Sequence, residues 1–180
     1  MSNRTAGVLD PGAVHGTTTE VEVALAIALT LNHVCQEQGI STWLSRSNNS
    51  QPTPLNTRVS RALAAGCTHL ISIHLNAAAS SQANGTETLY ADSADLVLAR
   101  DVQAAALAAW GLRDRGIKRE KSPEFPGDLL ILDNRIRGVL LEVGFISNNR
   151  DREAMASREA RLTFARQLAS RLKHYEPLAK

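Results

Sequence analysis

At 180 residues, 43% of them hydrophobic, the chain is long enough to bury one sizeable core, and one domain over residues 1–180 is the natural count. A formal net charge of +2 suits an anionic surface or polymer, but the Lys and Arg gathered between Arg113 and Lys121 have no interleaved aromatics, so nucleic-acid binding is not expected. No apolar run approaches a membrane span, and the two cysteines, Cys35 and Cys67, lie in apolar surroundings that predict buried free thiols rather than a disulfide or a zinc knuckle.

Met1-Ser2-Asn3-Arg4-Thr5 leads almost directly into Ala6-Gly7-Val8-Leu9-Asp10, which is too short for the apolar region of a signal peptide and reads as a first strand. On that reading the protein stays in the cytoplasm unless something else lets it out. Residues 20–38 carry helical periodicity through Val21, Ala24, Leu25, Ala28, Leu31 and Cys35, with Gly39 as the cap. Residues 42–46 read as a short strand. Pro54 suits the first turn of a helix running to about Ala65, ended by Gly66. A third strand is predicted at residues 69–76, then a small polar loop and a fourth strand at 86–91. Ser93 is expected to cap an Ala-rich helix ending near Gly111. Residues 113–127, rich in Pro, Gly and charge, read as a loop, followed by apolar strands at 129–132 and 138–143. The tail from Asn149 to about Tyr175 reads as helix, broken near Ser157. This alternation predicts a single α/β domain: a mostly parallel twisted sheet of about six strands with helices on both faces.

Within Leu140-Leu141-Glu142-Val143-Gly144-Phe145-Ile146 one carboxylate is stranded among apolar residues. A buried bare charge is costly, so Glu142 must be paired, neutralised or metal-bound unless it has reached solvent at the strand end. Ile71-Ser72-Ile73-His74-Leu75-Asn76 sets a His in an equivalent position. Ligands of such sheets sit beyond the carboxyl ends of the strands, which collects residues 10–20, Arg46, His74 with Asn76, and Glu142. Two imidazoles and a carboxylate around an open position make a catalytic zinc set, and His15, Glu20 and His74 can supply it, with Glu142 as a nearby base. Each has a plainer alternative. Glu20 follows Thr17 at capping-box spacing, although Thr19 and Glu22 repeat that spacing and can free it. His15 sits in a Gly-bounded loop where an imidazole is often only exposed. His33, His69 and His174 have no carboxylate or second His at useful spacing and read as structural or surface residues.

These residues carry a resemblance that runs nearly the whole length. Val8-Leu9-Asp10-Pro11-Gly12, Glu20 at a helix start, Leu44-Ser45-Arg46, Leu55 to Arg58 and Ser72 to Ala77 all take part. So do Gly85 to Tyr90, Arg115-Gly116-Ile117-Lys118 and Leu141 to Asn148. With them the chain resembles the zinc-dependent N-acetylmuramoyl-L-alanine amidases, the bacterial cell-wall amidases and phage endolysins that cut peptidoglycan between sugar and stem peptide. The resemblance implies zinc held by His15, Glu20 and His74, and Glu142 as the catalytic carboxylate. The family places its first His directly after the Asp-Pro-Gly turn, where Ala13 stands here. Either His15 takes over that role from a shifted loop or the first ligand is missing; the first is expected, since no other imidazole lies near.

The expected reaction is hydrolysis of the amide between N-acetylmuramic acid and L-alanine. Zinc would lower the pKa of a bound water and polarise the carbonyl, and Glu142 would shuttle the proton. Asn76 is a candidate to orient His74 or touch substrate, and Arg46 a candidate for a stem-peptide carboxylate, with structural salt bridging the plainer role. The absence of a signal peptide and wall-binding domain favours a phage-type endolysin in the host cytoplasm before release to the wall. A monomer is expected, partnered by peptidoglycan, with no nucleic acid and no stable membrane association. The competing readings are a zinc peptidase acting within the stem peptide and a zinc-less peptidoglycan-binding module.

Overall fold

A parallel pair of strands forms the middle of the molecule. The computed structural model describes residues 10–50, 54–129, 131–132 and 135–175. In it β3 (His69–Asn76) runs parallel to β6 (Arg137–Phe145), pairing Ile71 with Val139, Ile73 with Leu141 and His74 with Glu142. Ahead of them come a two-residue hairpin, β1 (Val14–His15) with β2 (Thr18–Thr19), then α1 (Glu20–Glu37) and α2 (Leu55–Ala64). β4 (Thr86–Tyr90), α3 (Leu96–Trp110) and β5 (Asp114–Arg119) lie between β3 and β6 in the chain, and α4 (Asn149–Ala156) and α5 (Arg158–Leu172) close it.

Side-chain alternation assigns the two faces. Val139, Leu141 and Val143 of β6, with Leu75 of β3, pack into a core shared with Ile27 and Val34 of α1, Val102 and Ala106 of α3, and Phe164 and Leu168 of α5. The intervening Leu140, with Leu89 of β4, joins Val59 and Ala62 of α2 and the buried Ile131, Leu132 and Ile136. Helices therefore cover both faces, as α/β layering requires. The polar positions of β3 and β6 fall on the α2 side, beyond the end of that smaller cluster. Among the described residues no helix is long and apolar enough to cross a membrane. Cys35 is buried, Cys67 is half-buried, and both are free thiols.

The sheet is mostly parallel, as expected, with one antiparallel pairing that makes it mixed, and four strands rather than about six are described in it. Its four strands run in the order β3-β6-β4-β5, with β4 antiparallel to β6 and parallel to β5. The first strand expected at residues 6–10 lies, apart from Asp10, outside the described residues. Residues 42–46 pair with no strand among those described; Trp43 packs on the smaller cluster beneath the Arg61 guanidinium, and Arg46 is drawn to α1. Of the apolar run at 129–132, the described residues 129, 131 and 132 lie in no strand: Leu132 N–H bonds to the Leu129 carbonyl, and Ile131 and Leu132 are buried with Val59 and Ala62 of α2, which accounts for their hydrophobicity. Conversely, the supposed loop at 113–127 contains β5. Its charges and its glycine are the marks of an outer strand with a bulge, where they deter edge pairing. Ser93 begins a 3-10 turn capped by Asp92, and α3 proper starts three residues later. The break at Ser157 is real, because its hydroxyl accepts from Ala160 N–H and caps α5.

One buried carboxylate ties the working end of the sheet together. Asp151 of α4 is 1% exposed, and its Oδ2 accepts from the N–H groups of Gly85 at 2.8 Å and Phe145 at 2.9 Å. Gly144 leaves room for it, since a Cβ there would stand 3.2 Å from that same oxygen. Asp151→Ala is expected to strand two buried donors at about 1–3 kcal/mol each. That should lower the thermal midpoint by roughly 2–4 °C per kcal/mol in a chain of this size, read by circular dichroism.

Candidate active site

α1 begins with two acidic residues that have different tasks. Thr19 caps the helix, its Oγ1 accepting from Glu22 N–H at 3.4 Å and donating to Glu22 Oε2 at 2.7 Å. Glu20 is thereby free to turn inward. Its Oε2 accepts from Ala13 N–H at 2.9 Å, and its Oε1 lies 2.8 Å from His74 Nδ1 at the end of β3. Gly12, at φ 68°, makes the approach possible, because a Cβ there would meet Glu20 Oε2 at 2.4 Å. Burial pushes the Glu20 carboxyl up, but the His74 contact, the Ala13 N–H and the His74 charge outweigh it and hold it below its ordinary value.

His74 is held on both sides. Its Nε2 is 2.9 Å from Ser72 Oγ, a residue with the same facing two positions back on β3. An imidazole fixed at one nitrogen by a hydroxyl and presenting the other to a carboxylate is the arrangement expected of a metal ligand with an orienting partner. The Nδ1 to Oε1 contact requires a proton between them, and a divalent cation held by Glu20 and His74 would take the place of that proton. The chemistry of this pair therefore fits zinc. His15 lies elsewhere, exposed at the end of β1, and among the described residues no group of three or more His, Cys, Asp or Glu side chains is arranged to hold a metal.

Glu142 sits opposite His74 on β6 and opposite Glu87 on β4. Its Oε2 is buried with no hydrogen-bond partner. Burial drives its carboxyl up to about 7; the His74 charge pulls it down, and those of Glu20 and Glu87 push it further up. A carboxyl poised there can both take and return a proton in neutral solution.

Glu87 was not singled out in the sequence, and it is the contrasting case. Lys118 Nζ donates to its Oε2 at 2.6 Å, Arg115 Nε to the same oxygen at 2.9 Å, and Asn76 Nδ2 to its Oε1 at 3.0 Å. Burial raises its carboxyl, but these hydrogen bonds and charges outweigh it and keep Glu87 ionised. Arg115 and Lys118 are three residues apart, which in a regular strand would set them on opposite faces. Thr86 pairs with Asp114 but Thr88 with Ile117, so β5 carries an extra residue, with Gly116 at φ 82° absorbing the turn. The bulge brings both cations to one carboxylate. The sequence signal was a Gly between basic residues after an alternating run, which is easily read as loop.

Asn76 therefore anchors Glu87 rather than His74. Arg46 donates to the Val21 carbonyl at 2.6 Å and to Asn49 Oδ1 at 2.9 Å, bracing the first turn of α1 by hydrogen bonds rather than by a salt bridge. His33 is exposed with its Nε2 3.4 Å from Glu37 Oε1, a carboxylate at helical spacing that the sequence reading did not count, and His69 meets Tyr175 edge-on at 4.9 Å.

The raised Glu142 carboxyl carries a linkage consequence. Its proton affinity is higher folded than unfolded, so its contribution to stability is fully present below about 4.5 and is lost as pH rises through about 7. In chelated protein, Glu142→Gln is expected to raise the thermal midpoint relative to the parent at pH 8 and to leave it level at pH 4. Equal midpoints at pH 8 would show that the carboxyl is not desolvated.

Comparison with known proteins identifies the family. The N-acetylmuramoyl-L-alanine amidase family profile matches residues 6–174. The chain is 35% identical over 149 residues to N-acetylmuramoyl-L-alanine amidase LytC of Bacillus subtilis, covering 81% of this chain but only 29% of LytC. It is 32% identical over 154 residues to YqiI of the same organism, covering 83% of this chain and 71% of YqiI. Among solved structures, the catalytic domain of the amidase CwlV from Bacillus (Paenibacillus) polymyxa superposes with a TM-score of 0.83 at 29% identity, over 94% of this chain and 92% of that domain. An N-acetylmuramoyl-L-alanine amidase of Clostridium difficile gives 0.81 at 25% identity, over 94% and 91%. The chain belongs to the N-acetylmuramoyl-L-alanine amidase family.

Proposed function

We propose that the protein is a zinc-dependent hydrolase that cleaves the amide between N-acetylmuramic acid and L-alanine in peptidoglycan. The observation that carries this is the buried, unpartnered Oε2 of Glu142, one strand away from the Glu20–His74 pair. Zinc would be held by Glu20 and His74, and His15, exposed on the hairpin just ahead of α1, would serve as third ligand only if that hairpin turned toward the pair. When bound, zinc supplies a Lewis acid for the scissile carbonyl and a water of lowered pKa.

The protein's own groups do the rest. Ser72 keeps the His74 ring from rotating. Glu20, its Oε2 fixed by the Ala13 N–H, keeps Oε1 directed at the imidazole rather than at solvent. Glu142 takes the proton of the attacking water and delivers it to the departing L-alanine amine, a return trip that its position near 7 permits. Burial on the α2 face of the sheet holds its carboxyl away from bulk water. The positive net charge suits an anionic wall polymer. The proposal extends to an endolysin role, with the protein held in the host cytoplasm until it is released to the wall.

Pure protein is expected to carry about one zinc per chain, as a three-ligand catalytic site requires. Chelation should stop the clearing of wall sacculi and zinc should restore it. His74→Ala and His15→Ala should each lose the metal; a His15→Ala protein that keeps both metal and activity would remove His15 from the site. Full activity after chelation would sink the zinc mechanism, and an intact fold with neither metal nor turnover would favour a binding module.

Glu142→Gln should retain its metal and lose about two to four orders of magnitude in turnover, the usual worth of a positioned base. Digested sacculi should show new L-alanine amines and no new reducing ends. New amines on other residues would identify a peptidase instead.

A further inference from the structure

The Glu87 cluster carries more positive charge than its own carboxylate neutralises. Lys118 and Arg115 both donate to Glu87 Oε2, while Oε1 is taken by Asn76, so one negative charge faces two positive ones. The carboxylate is only 6% exposed, whereas Arg115 and Lys118 keep 27% and 19% of their side chains open to solvent. The cations thus have their inner sides fixed and their outer sides available. Arg115 is braced as well, its guanidinium carbon 4.9 Å from the centre of the Phe145 ring. These groups share the sheet face that bears Glu142, and Glu87 is its direct partner across the β4–β6 ladder. The backbone of β5 is two strand spacings from β6, but both cationic groups reach back to Glu87 on β4, a single spacing of about 5 Å from the Glu142 position.

We propose that Arg115 and Lys118 form the subsite that recognises a free carboxylate on the stem peptide, beyond the L-alanine whose amide is cut. This rests on the amidase reading above and adds a specificity determinant to it. The span suits a substrate whose scissile amide lies at Glu142 and whose next charged group lies one residue further along. A bidentate guanidinium beside an ammonium is well matched to a carboxylate and poorly matched to the neutral amide of the same shape. Glu87 is a positioning residue: it holds both cations in place and absorbs part of their charge. Arg46 is unsuited to the role, because one terminal nitrogen is engaged by the Val21 carbonyl of α1 and the other by Asn49 Oδ1.

The test compares wall sacculi with free stem-peptide carboxylates against the same sacculi after carbodiimide coupling to ammonia, using zinc-loaded protein. The parent should prefer the free-carboxylate substrate by roughly tenfold in kcat/KM, chiefly through KM, the scale of a charge-assisted hydrogen bond at a partly open site. Lys118→Met should shrink that preference to about twofold or less, and Lys118→Arg should restore most of it. Glu87→Gln, which releases both cations from their internal carboxylate, should enlarge it. A purely structural cluster predicts that Lys118→Met and Glu87→Gln weaken both substrates alike. Circular dichroism identifies a variant that has failed to fold, and the opposite-direction Glu87→Gln result then decides. Equal cleavage of both substrates by the parent overturns this subsite and leaves the amidase reading standing. Cleavage of neither overturns both.

Discussion

The register of β3 against β6 is the constraint from which the site follows. Parallel strands lie about 4.8 Å apart, so the pairing of His74 with Glu142 brings an imidazole and a carboxylate to one level on one face of the sheet. A slip of one residue would turn the His and the Glu toward opposite faces. The apolar residues that alternate with them, Ile71 and Ile73 on one strand and Val139, Leu141 and Val143 on the other, fix that register by packing against α1, α3 and α5. Core and site are therefore one pattern read on its two faces. Asp151 secures the end of the pattern, where β6 leaves the sheet and β4 enters it.

Two carboxylates at neighbouring positions in that sheet are given opposite states by their surroundings. Glu87 and Glu142 face each other across the β4–β6 ladder. Glu87 has two cations and an amide; Glu142 has a buried oxygen with nothing to bind. One is fixed as an anion, and the other is left close to neutral solution pH in its proton affinity. The fixed anion also raises its neighbour, so Glu87 acts on the site without having to reach it.

Much of this could be read from the sequence, and the exceptions have physical causes. His74 and Glu142 were conspicuous because a polar group inside an apolar strand has few harmless explanations. Glu20 could be separated from a capping role because Thr19 and Glu22 supplied a better cap, and the structure bonds them accordingly. The helices fell within about three residues of their expected bounds because Gly and Ser mark ends such as those at Gly111 and Ser157. β5 was hidden by its own bulge: an extra residue breaks the two-residue alternation on which strand recognition depends. Residues 129–132 misled in the other direction, since a buried turn and a buried strand need the same apolar side chains. The parallel pairings were expected from the alternation of strands and helices, but the one antiparallel pairing, β4 with β6, was not legible. The mixed order β3-β6-β4-β5 depends on where β4 finds its partners, and no local run encodes that.

Glu20 joins two parts of the backbone that are far apart in the chain. One of its oxygens accepts the amide of Ala13 in the loop before the hairpin; the other, besides its contact with His74, accepts the amide of Leu75 within β3 at 3.4 Å. The same residue's own amide bonds back to the Ala13 carbonyl. Opening the loop therefore frees one side of a carboxylate whose other side secures the end of a central strand. In the language of amide exchange, the Ala13 and Leu75 protons belong to one cooperative unit although sixty-two positions separate them, and any change in how tightly that carboxylate is held is felt at both places together.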